Sequence, residues 1–504
     1  MSGRGKVYII GVGPGDYKLM TLKAVECMGK ADVIVYDRLV GTKILSFAKD
    51  NAELVYVGKT PDCHTLTQDE INKVLVQKAL EGKTVARVKG GDPFMFGRGG
   101  EEAETLRENG MEFEIVPGVT SAIAVPAYSG IPVTHRDFCS SLHIITGHEK
   151  PGRENSFIDY EALAKLEGTL VFLMGIKNLP EICSRLIKYG KDRTTPAAVI
   201  EKGTTVLQRK VTGTLEDIAD RAEEAGIKSP AVTVIGKVVN LGDKLEWRPK
   251  GGLAGKRVIV TRSRKQASKL VRMIEDLGGE AVEFPTIKIA EPPDYEPLDK
   301  ALDNLGSYNW LVFTSVNGVT SFMARMRARG IDIRRLWGIK LCAVGEATAE
   351  ELAKVGLIAD YIPHSYTTAE LLKGLPELVK PGEKVLLARA DIADKELSEG
   401  LKRNSLDVED IVVYRTLLDS PCGHETIDFL ETADFVTFTS SSTVKNFVSI
   451  IGRENINKLS GARVVCIGPV TMQTAQELGL SVSAMADVYT IDGLVDKLKE
   501  ISGE

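Results

Sequence analysis

Short apolar runs alternate with longer amphipathic stretches along most of the chain. Representative runs are KVYIIGVG, TVARVKGG and TLVFLMG in the first half, and RVIVTRS, WLVFTS and RVVCIG in the second. Each ends in glycine or serine ahead of a helical pattern, which is typical of β-strand–α-helix units. Strands that are apolar throughout are buried on both faces, as in parallel sheets. The pattern therefore predicts an α/β protein with largely parallel sheets.

A change of composition divides the chain near residue 250. The segment EWRPKGGLAGKR is charged and rich in glycine and proline, as linkers are, and a new strand, RVIVTRSR, begins at Arg257. With 504 residues the chain is also too long for one core, because single hydrophobic cores stop growing near about 250–300 residues. We therefore expect two domains, 1–246 and 255–504, joined by a linker at 247–254.

Charge and cysteine content exclude several classes of protein. Lysine and arginine number 64 against 69 aspartates and glutamates, so the net charge of −5 gives no general surface for nucleic acid or anionic membranes. The sequence contains no apolar run of transmembrane length, and because the apolar run near Lys6 is short and ends in a glycine turn, we expect no export signal. Its seven cysteines are scattered without a CxxC pair, which disfavours zinc ligands and a disulfide framework. We expect a cytoplasmic protein without a metal site and without a nucleic-acid or membrane partner.

The first glycine-rich loop, GVGPGD at residues 11–16, follows a strand and suggests the dinucleotide site of a nicotinamide dehydrogenase. Its spacing argues against that function, because a Rossmann fingerprint has its third glycine where Asp16 stands, and Pro14 stiffens the loop. A phosphate-binding Walker loop is excluded as well, since no GK[ST] follows. A tight structural turn and a site for a ligand without phosphates both remain open.

Two further loops strengthen the case for a binding site. Residues 89–100 (KGGDPFMFGRGG) contain five glycines, and residues 116–122 (VPGVTSA) are mostly small. So many glycines make folding entropically costly, and close approach of the backbone to a ligand commonly explains them. All three loops follow strands, and open α/β sheets bind ligands at the carboxyl ends of their strands. The three loops together are therefore better explained by a ligand site than by three separate solvent-exposed loops.

Eight segments in the first half carry a resemblance to a known family: GVGPGD, VYDRLV, YVGK, VKGGDPFMFGRGGEE, VPGVTSA, GIPVTHR, LMGIKNL and EKGTT. Across about residues 5–245 the chain resembles uroporphyrinogen-III C-methyltransferase, a tetrapyrrole methylase that uses S-adenosylmethionine. The resemblance implies two α/β lobes with the active site in the cleft between them. It also implies a homodimer formed through this half of the chain.

The same resemblance implies roles for individual residues. The expected contacts of S-adenosylmethionine are Pro14, Gly90, Gly91, Asp92, Met95, Thr120, Ser121, Met174, Gly203 and Ala231. Small residues, backbone amides and apolar slots suit this ligand, a cation with an adenine and an amino acid group. Asp37 and Lys59, each at the end of a strand, occupy the positions of the proposed base and acid, and a positioned base speeds the proton loss that follows methyl transfer. Arg38 and His64 are candidates for binding substrate carboxylates.

After residue 255 the chain contains hydroxyl clusters rather than a nucleophile motif. Thr314-Ser315, Thr439–Ser442 and Gly468–Thr471 each end a strand-like run. Hydroxyls and helix N-terminal amides bind carboxylates. The same residue types are also the preferred N-caps of helices, so both interpretations stay open.

Seven segments of this half carry a second resemblance: RVIVTRSR, FTSVNGV, CAVGEATA, LLARAD, VVYRT, FTSSSTV and CIGPVTMQTAQELGL. Across about residues 253–500 the chain resembles uroporphyrinogen-III synthase, a family that needs no cofactor. The resemblance implies two α/β lobes joined by a two-stranded hinge. The first lobe would comprise residues 255–286 and 417–504, and the second lobe residues 287–416.

For this half the resemblance implies Tyr414 as a catalytic hydroxyl donor that assists departure of hydroxide, although packing of a hinge-strand tyrosine is an open alternative. Thr314, Ser440 and Thr471 are the predicted substrate anchors. Because closure of a linear octacarboxylate must be directed to one ring carbon, we expect catalysis mainly by orientation.

Together the two resemblances imply consecutive reactions on tetrapyrroles. The second half would cyclise hydroxymethylbilane to uroporphyrinogen III with inversion of ring D. The first half would methylate that product at C2 and C7 to precorrin-2, which leads to sirohaem or cobalamin. The alternative is an active methyltransferase fused to a non-catalytic tetrapyrrole-binding module.

Overall fold

The computed structural model describes residues 4–49, 51–58, 66–148, 157–249, 251–261, 264–363, 368–393, 395–418 and 430–503. Within these ranges the strands form four five-stranded sheets, two in each half of the chain. The predicted α/β fold with two lobes in each half is therefore confirmed. No helix in the described ranges has both the length and the apolar content needed to cross a bilayer.

The first sheet is parallel throughout, in the order β3-β2-β4-β1-β5. Its elements are β1 (Lys6–Gly11), α1 (Leu22–Lys30), β2 (Val33–Tyr36), α2 (Thr42–Leu45), β3 (Glu53–Tyr56), α3 (Gln68–Leu80), β4 (Val85–Lys89), α4 (Gly99–Glu108) and β5 (Glu112–Val116). Along β1, Val7 and Ile9 enter the core on one face and Ile10 enters the core on the other. Both faces of the central strand β1 are covered, which explains why it is apolar apart from its first residue.

The second sheet has the order β6-β7-β10-β8-β9. Its elements are α5 (Ser121–Ala127), β6 (Leu142–Thr146), α6 (Tyr160–Lys165), β7 (Thr169–Leu173), α7 (Leu179–Lys188), β8 (Pro196–Glu201), β9 (Arg209–Thr214), α8 (Ile218–Glu224) and β10 (Ala231–Ile235). Strand β6 is parallel to β7, but the pairs β7–β10, β10–β8 and β8–β9 are antiparallel. The prediction of largely parallel sheets is wrong here, since the short β8–β9 loop has no crossover helix and permits only antiparallel pairing.

The second half starts with β11 (Arg257–Val260), α9 (Arg264–Asp276) and β12 (Glu280–Glu283). It crosses to another lobe made of β13 (Ile287–Ala290), α10 (Glu296–Asp303), β14 (Trp310–Phe313), α11 (Val316–Ala328), β15 (Lys340–Ala343), α12 (Glu346–Lys354), α13 (Thr368–Leu378), β16 (Lys384–Ala390), α14 (Glu396–Arg403) and β17 (Asp407–Leu418). It ends with β18 (Phe435–Phe438), α15 (Ser441–Ile451), β19 (Arg463–Cys466), α16 (Pro469–Glu477), β20 (Val482–Met485) and α17 (Ile491–Ser502).

The sheets of this half are joined through β13 and β17. The third sheet, β12-β11-β18-β19-β20, is parallel, and so is the fourth, β13-β17-β16-β14-β15, except for its edge strand β13. Strand β13 pairs antiparallel with the end of β17, with Ile287 opposite Leu418. Between β12 and β13 the chain crosses at Phe284, which is buried in the core of the third sheet. The antiparallel pair β13–β17 is the two-stranded hinge.

Candidate active site

The loops after β1 and β4 are joined by two backbone hydrogen bonds. The amide of Gly13 donates to the carbonyl of Gly91 at 3.2 Å, and the amide of Gly91 donates back to Gly13 at 2.7 Å. Both residues have a positive φ, +82° and +70°, which glycine adopts without the steric cost that other residues pay. A side chain at Gly118, in the loop after β5, would overlap the carbonyl oxygen of Gly91. The three glycine-rich loops thus meet backbone to backbone.

Asp92 ties these loops together. Its carboxylate accepts hydrogen bonds from the amide of Gly118 at 3.0 Å and from the amide of Phe94 at 2.8 Å. Thr120 caps the N-terminus of α5 by accepting a hydrogen bond from the amide of Ala122. Three of the predicted cofactor contacts, Gly91, Asp92 and Thr120, therefore hold the loops in position.

A cavity of about 2100 Å³ lies beside the joined loops. It is bounded by the carboxyl ends of the first sheet, by strand ends of the second sheet and, on a further side, by residues of the second half of the chain such as Glu275 and Ile289. Eight of the predicted site residues line it: Pro14, Asp37, Gly90, Met95, Ser121, Met174, Gly203 and Ala231. Residues from both lobes of the first half are therefore brought together around one space, as the sequence predicted for a cleft site.

Backbone strain is concentrated where the second sheet faces the cavity. Met174, directly after β7, and Lys202, directly after β8, have φ values of +58° and +46°. Left-handed conformations of residues other than glycine cost energy and cluster at ligand sites. The side chain of Met174 is also half exposed, although methionine is commonly buried. Both observations favour a role in ligand contact over core packing for Met174.

Asp16, which occupies the position of the missing third glycine, connects the two lobes. Its amide donates to the hydroxyl of Thr204 at 3.2 Å, and its carboxylate accepts a hydrogen bond from the hydroxyl of Tyr128 at 2.8 Å. Burial and this hydrogen bond raise the pKa of Tyr128, so the phenol keeps its proton. Asp16 therefore closes one end of the cleft.

The predicted base, Asp37, is held by a buried cluster of charges. Its carboxylate accepts a hydrogen bond from Arg87 at 3.2 Å, and Arg87 in turn donates to Glu102 at 3.1 Å. Lys89 donates to the same oxygen of Glu102 at 2.9 Å. Burial and the neighbouring Arg87 lower the pKa of Lys89. Two cations and two anions thus balance one another at the cavity wall, and Asp37 is the half-buried member that faces the space.

Sequence reasoning did not find Arg87, Lys89 and Glu102. A signal was present, because the strand VARVK has two cations on one face of an otherwise buried strand, and buried charges need partners. The predicted acid Lys59 and the candidate His64 lie outside the described residues. Arg38, which follows Asp37, lines the cavity.

In the second half the candidate residues lie in two lobes. The hydroxyl of Tyr414 is buried and lies 3.0 Å from the hydroxyl of Ser315, next to the half-buried Thr314. Ser315, which the residue predictions missed, also caps α11 by accepting from the amide of Gly318. In the other lobe, Ser440 caps α15 by accepting from the amide of Thr443. Thr471, the other candidate of that lobe, is buried within α16. Tyr414 contacts Ser315, the residue after Thr314, whereas Ser440 and Thr471 belong to the other lobe.

Two protein families match different halves of the chain. The family described as Tetrapyrrole (Corrin/Porphyrin) Methylases matches residues 6–219, and the family described as Uroporphyrinogen-III synthase HemD matches residues 268–496. These matches fall on either side of the segment at 247–254.

Individual relatives agree with this division. A protein of Ruminiclostridium josui named "Porphyrin biosynthesis protein HemD" is 41% identical over 501 residues, which cover 99% of this chain and 98% of the relative. An S-adenosyl-L-methionine-dependent uroporphyrinogen III methyltransferase of Methanosarcina barkeri is 58% identical over 246 residues, 49% of this chain and 96% of the relative. A crystal structure of uroporphyrin-III C-methyl transferase from Thermus thermophilus with S-adenosyl homocysteine is 38% identical, and the match covers 47% of this chain and all of that chain with a TM-score of 0.41. The chain therefore belongs to the family of fused enzymes in which a tetrapyrrole methylase precedes a uroporphyrinogen-III synthase of the HemD type.

Proposed function

We propose that the chain catalyses two consecutive steps of tetrapyrrole synthesis. Its second half converts hydroxymethylbilane into uroporphyrinogen III with inversion of ring D, and its first half methylates that product at C2 and C7 to give precorrin-2. The observation that carries this proposal is the cavity of about 2100 Å³, which is lined by the motif loops and by Asp37. We divide the chain accordingly into residues 1–246, a linker at 247–254, and residues 255–504.

The chemistry of the cavity wall suits S-adenosylmethionine. The wall offers Pro14, Gly90 and Gly203 with two methionines, Met95 and Met174, and the loop at Asp16 lacks the glycine that a diphosphate site needs. We assign the cofactor contacts to these residues together with Ser121 and Ala231. When bound, S-adenosylmethionine supplies a methyl group from a positively charged sulfonium, so a site without phosphate-binding features is appropriate.

Asp37 is proposed to accept the proton that the tetrapyrrole loses after each methyl transfer. The arriving methyl carries one positive charge, and release of one proton restores the charge of the ring system. The ion pair with Arg87 holds the carboxylate of Asp37 at the wall of the cavity. Lys59 stays a predicted acid, and the homodimer and the cytoplasmic location stay predictions as well.

In the second half we propose that Tyr414 assists departure of the hydroxyl group of hydroxymethylbilane. The bond between carbon and this hydroxyl breaks, and the oxygen takes up a proton and leaves as water. The freed carbon then bonds to the substituted carbon of ring D, the bond from that carbon to the neighbouring bridge breaks and re-forms at the other α carbon of ring D, and that carbon loses a proton, so the net change is the loss of one water. The hydrogen bond between Tyr414 and Ser315 supports this role, since it orients the phenol at the end of β14. Thr314, Ser440 and Thr471 stay the proposed substrate anchors.

The test is to incubate the full chain with hydroxymethylbilane, with and without S-adenosylmethionine, and to analyse product masses and isomers. We expect uroporphyrinogen III without the methyl donor and a product two methyl groups heavier with it. Isomer I at the uncatalysed rate would show that the second half is a non-catalytic binding module. Isomer III without methylated product would refute the methyltransferase assignment.

A further inference from the structure

The cavity of the first half continues into the second half. Beyond Met174 and Asp37 its wall includes Ile289 of the hinge strand β13 and Asn317 in the first turn of α11. The cap of that turn is Ser315, the residue that contacts Tyr414. One connected space therefore extends from the proposed methylation site to the edge of the proposed cyclisation site.

Glu275 fastens the two halves together at the side of this space. The hydroxyl of Tyr17 donates to its carboxylate at 3.0 Å, Lys18 forms an ion pair with it at 2.9 Å, and Lys43 forms a second ion pair. The side chain of Glu275 is only 11% exposed. Burial alone would raise the pKa of Glu275, but the hydrogen bonds from Lys43 and Lys18 outweigh it and lower the pKa. The contact is therefore ionised at neutral pH and shielded from water.

The segment between the halves adds a second attachment. The indole of Trp247 donates to the carbonyl of Ala127 at 2.9 Å and packs edge-on against Tyr128, with ring centres 5.2 Å apart. Arg248 donates to the carbonyl of Thr205 at 3.0 Å and lines the cavity. This segment thus lies along the cavity wall.

The wall carries an excess of positive charge. Among the described residues that line it, ten are lysine or arginine and five are aspartate or glutamate. Five of the cations form no ion pair with any described residue: Arg38, Lys177, Lys202, Arg248 and Lys288. They are spread from the second sheet to the hinge strand β13. A channel lined by unpaired cations attracts and retains a polyanion, and uroporphyrinogen III is an octacarboxylate.

We propose that uroporphyrinogen III formed in the second half reaches the methyltransferase site through this shared cavity, without first mixing with the solution. The inference rests on the proposed function. Its structural basis is the continuity of the cavity, the excess of unpaired cations on its wall, and the Glu275 contact that holds the halves together.

Isotope competition tests this transfer. The full chain is given carbon-13 hydroxymethylbilane and S-adenosylmethionine in the presence of excess unlabelled uroporphyrinogen III. Early in the reaction, we expect the dimethylated product to be several-fold richer in carbon-13 than the free uroporphyrinogen III. Equal enrichment of product and free pool would overturn the proposal.

Substitutions at Glu275 and Lys43 test whether the contact between the halves is needed for this transfer. Glu275→Lys should bring the enrichment of product towards that of the pool, while each reaction assayed alone keeps its rate. Asp276→Asn is the matched control, because Asp276 is the next residue of α9, is exposed and forms no ion pair with the described residues. The double variant Glu275→Lys with Lys43→Glu should recover part of the difference. Undiminished enrichment in a folded Glu275→Lys variant would contradict the proposal.

The proposed function and the proposed transfer between the halves are refuted by different results. If either single reaction is absent, the proposed function is refuted and the transfer falls with it. If both reactions proceed and product and pool are equally enriched, the transfer alone is refuted.

Discussion

In the first half the candidate residues of two lobes line one cavity, whereas in the second half they are divided between the two lobes. Asp37 is connected through Arg87 to Glu102, on a helix far along the chain. Ser440, by contrast, bonds to Ser442 and Thr443 of its own helix turn. The first half thus has an assembled charged site, while the second half offers surfaces whose catalytic value depends on how they hold a flexible substrate.

This difference determines what mutations should do. A site built around one ionised group loses most of its rate when that group is removed. A site that acts mainly by orientation loses less at any single residue. Substitutions at Asp37, at Tyr414 and at Ser440 distinguish these two kinds of site.

The largest effect is expected for Asp37→Ala. Loss of the positioned base should slow methyl transfer by about 10²–10⁴-fold, while formation of uroporphyrinogen III is unchanged. Each reaction is measured separately by product mass. Asp32→Asn is the control, because Asp32 lies at the opposite end of β2 from Asp37 and is not among the residues that line the cavity. Unchanged methyl transfer in Asp37→Ala would make Asp37 a structural acid.

For Tyr414→Phe we expect a smaller loss, confined to the second half. Removing the hydroxyl costs about 1–3 kcal/mol if it bonds the departing group, which is roughly 5- to 160-fold in rate. Tyr308→Phe is the matched control: Tyr308 is a buried tyrosine of the same lobe whose hydroxyl donates to Glu409 at 2.7 Å. It should lower the melting temperature without changing the isomer ratio. Complete inactivation of a folded Tyr414→Phe variant would show an essential acid and contradict catalysis by orientation.

Much of the first half was predictable because its motifs encode backbone geometry. Gly11 is required where two loops meet without room for a side chain, and Gly13 and Gly91 are required for their positive φ, so the requirement is visible in the residue types themselves. The partners of Arg87 and Glu275 were not predictable, because nothing local specifies a contact between residues far apart in sequence. In the second half, a serine at the end of a strand can either bind a substrate carboxylate or cap the following helix. The sequence alone therefore could not decide which of these two roles Ser440 has.

Gly118→Ala tests whether the close approach of the loops is needed for stability and for binding of S-adenosylmethionine. Its new side chain would overlap the carbonyl oxygen of Gly91, and we expect a loss of stability of about 1–3 kcal/mol, as for other overpacked sites. Binding of S-adenosylmethionine, measured by calorimetry, should weaken as the loops separate. Gly100→Ala, at an exposed position of α4 with open space around it, should be neutral or stabilise by about 0.5–1 kcal/mol. If both variants bind S-adenosylmethionine equally well, the close approach of the loops at Gly118 does not contribute to cofactor binding.

The smallest effect separates two serines at equivalent positions of the two lobes in the second half. Ser440→Ala removes an N-cap of α15, which typically costs about 1 kcal/mol of stability, and because Ser440 is a proposed substrate anchor we also expect the KM for hydroxymethylbilane to rise several-fold. Ser315→Ala removes both a cap and the contact with Tyr414, so it should lower stability by a similar amount and also lower the rate. Chemical denaturation gives the stabilities, and the isomer III to isomer I ratio reports on catalysis. Lowered stability with an unchanged KM in Ser440→Ala would instead identify Ser440 as a helix cap alone, and its assignment as a substrate anchor would be contradicted.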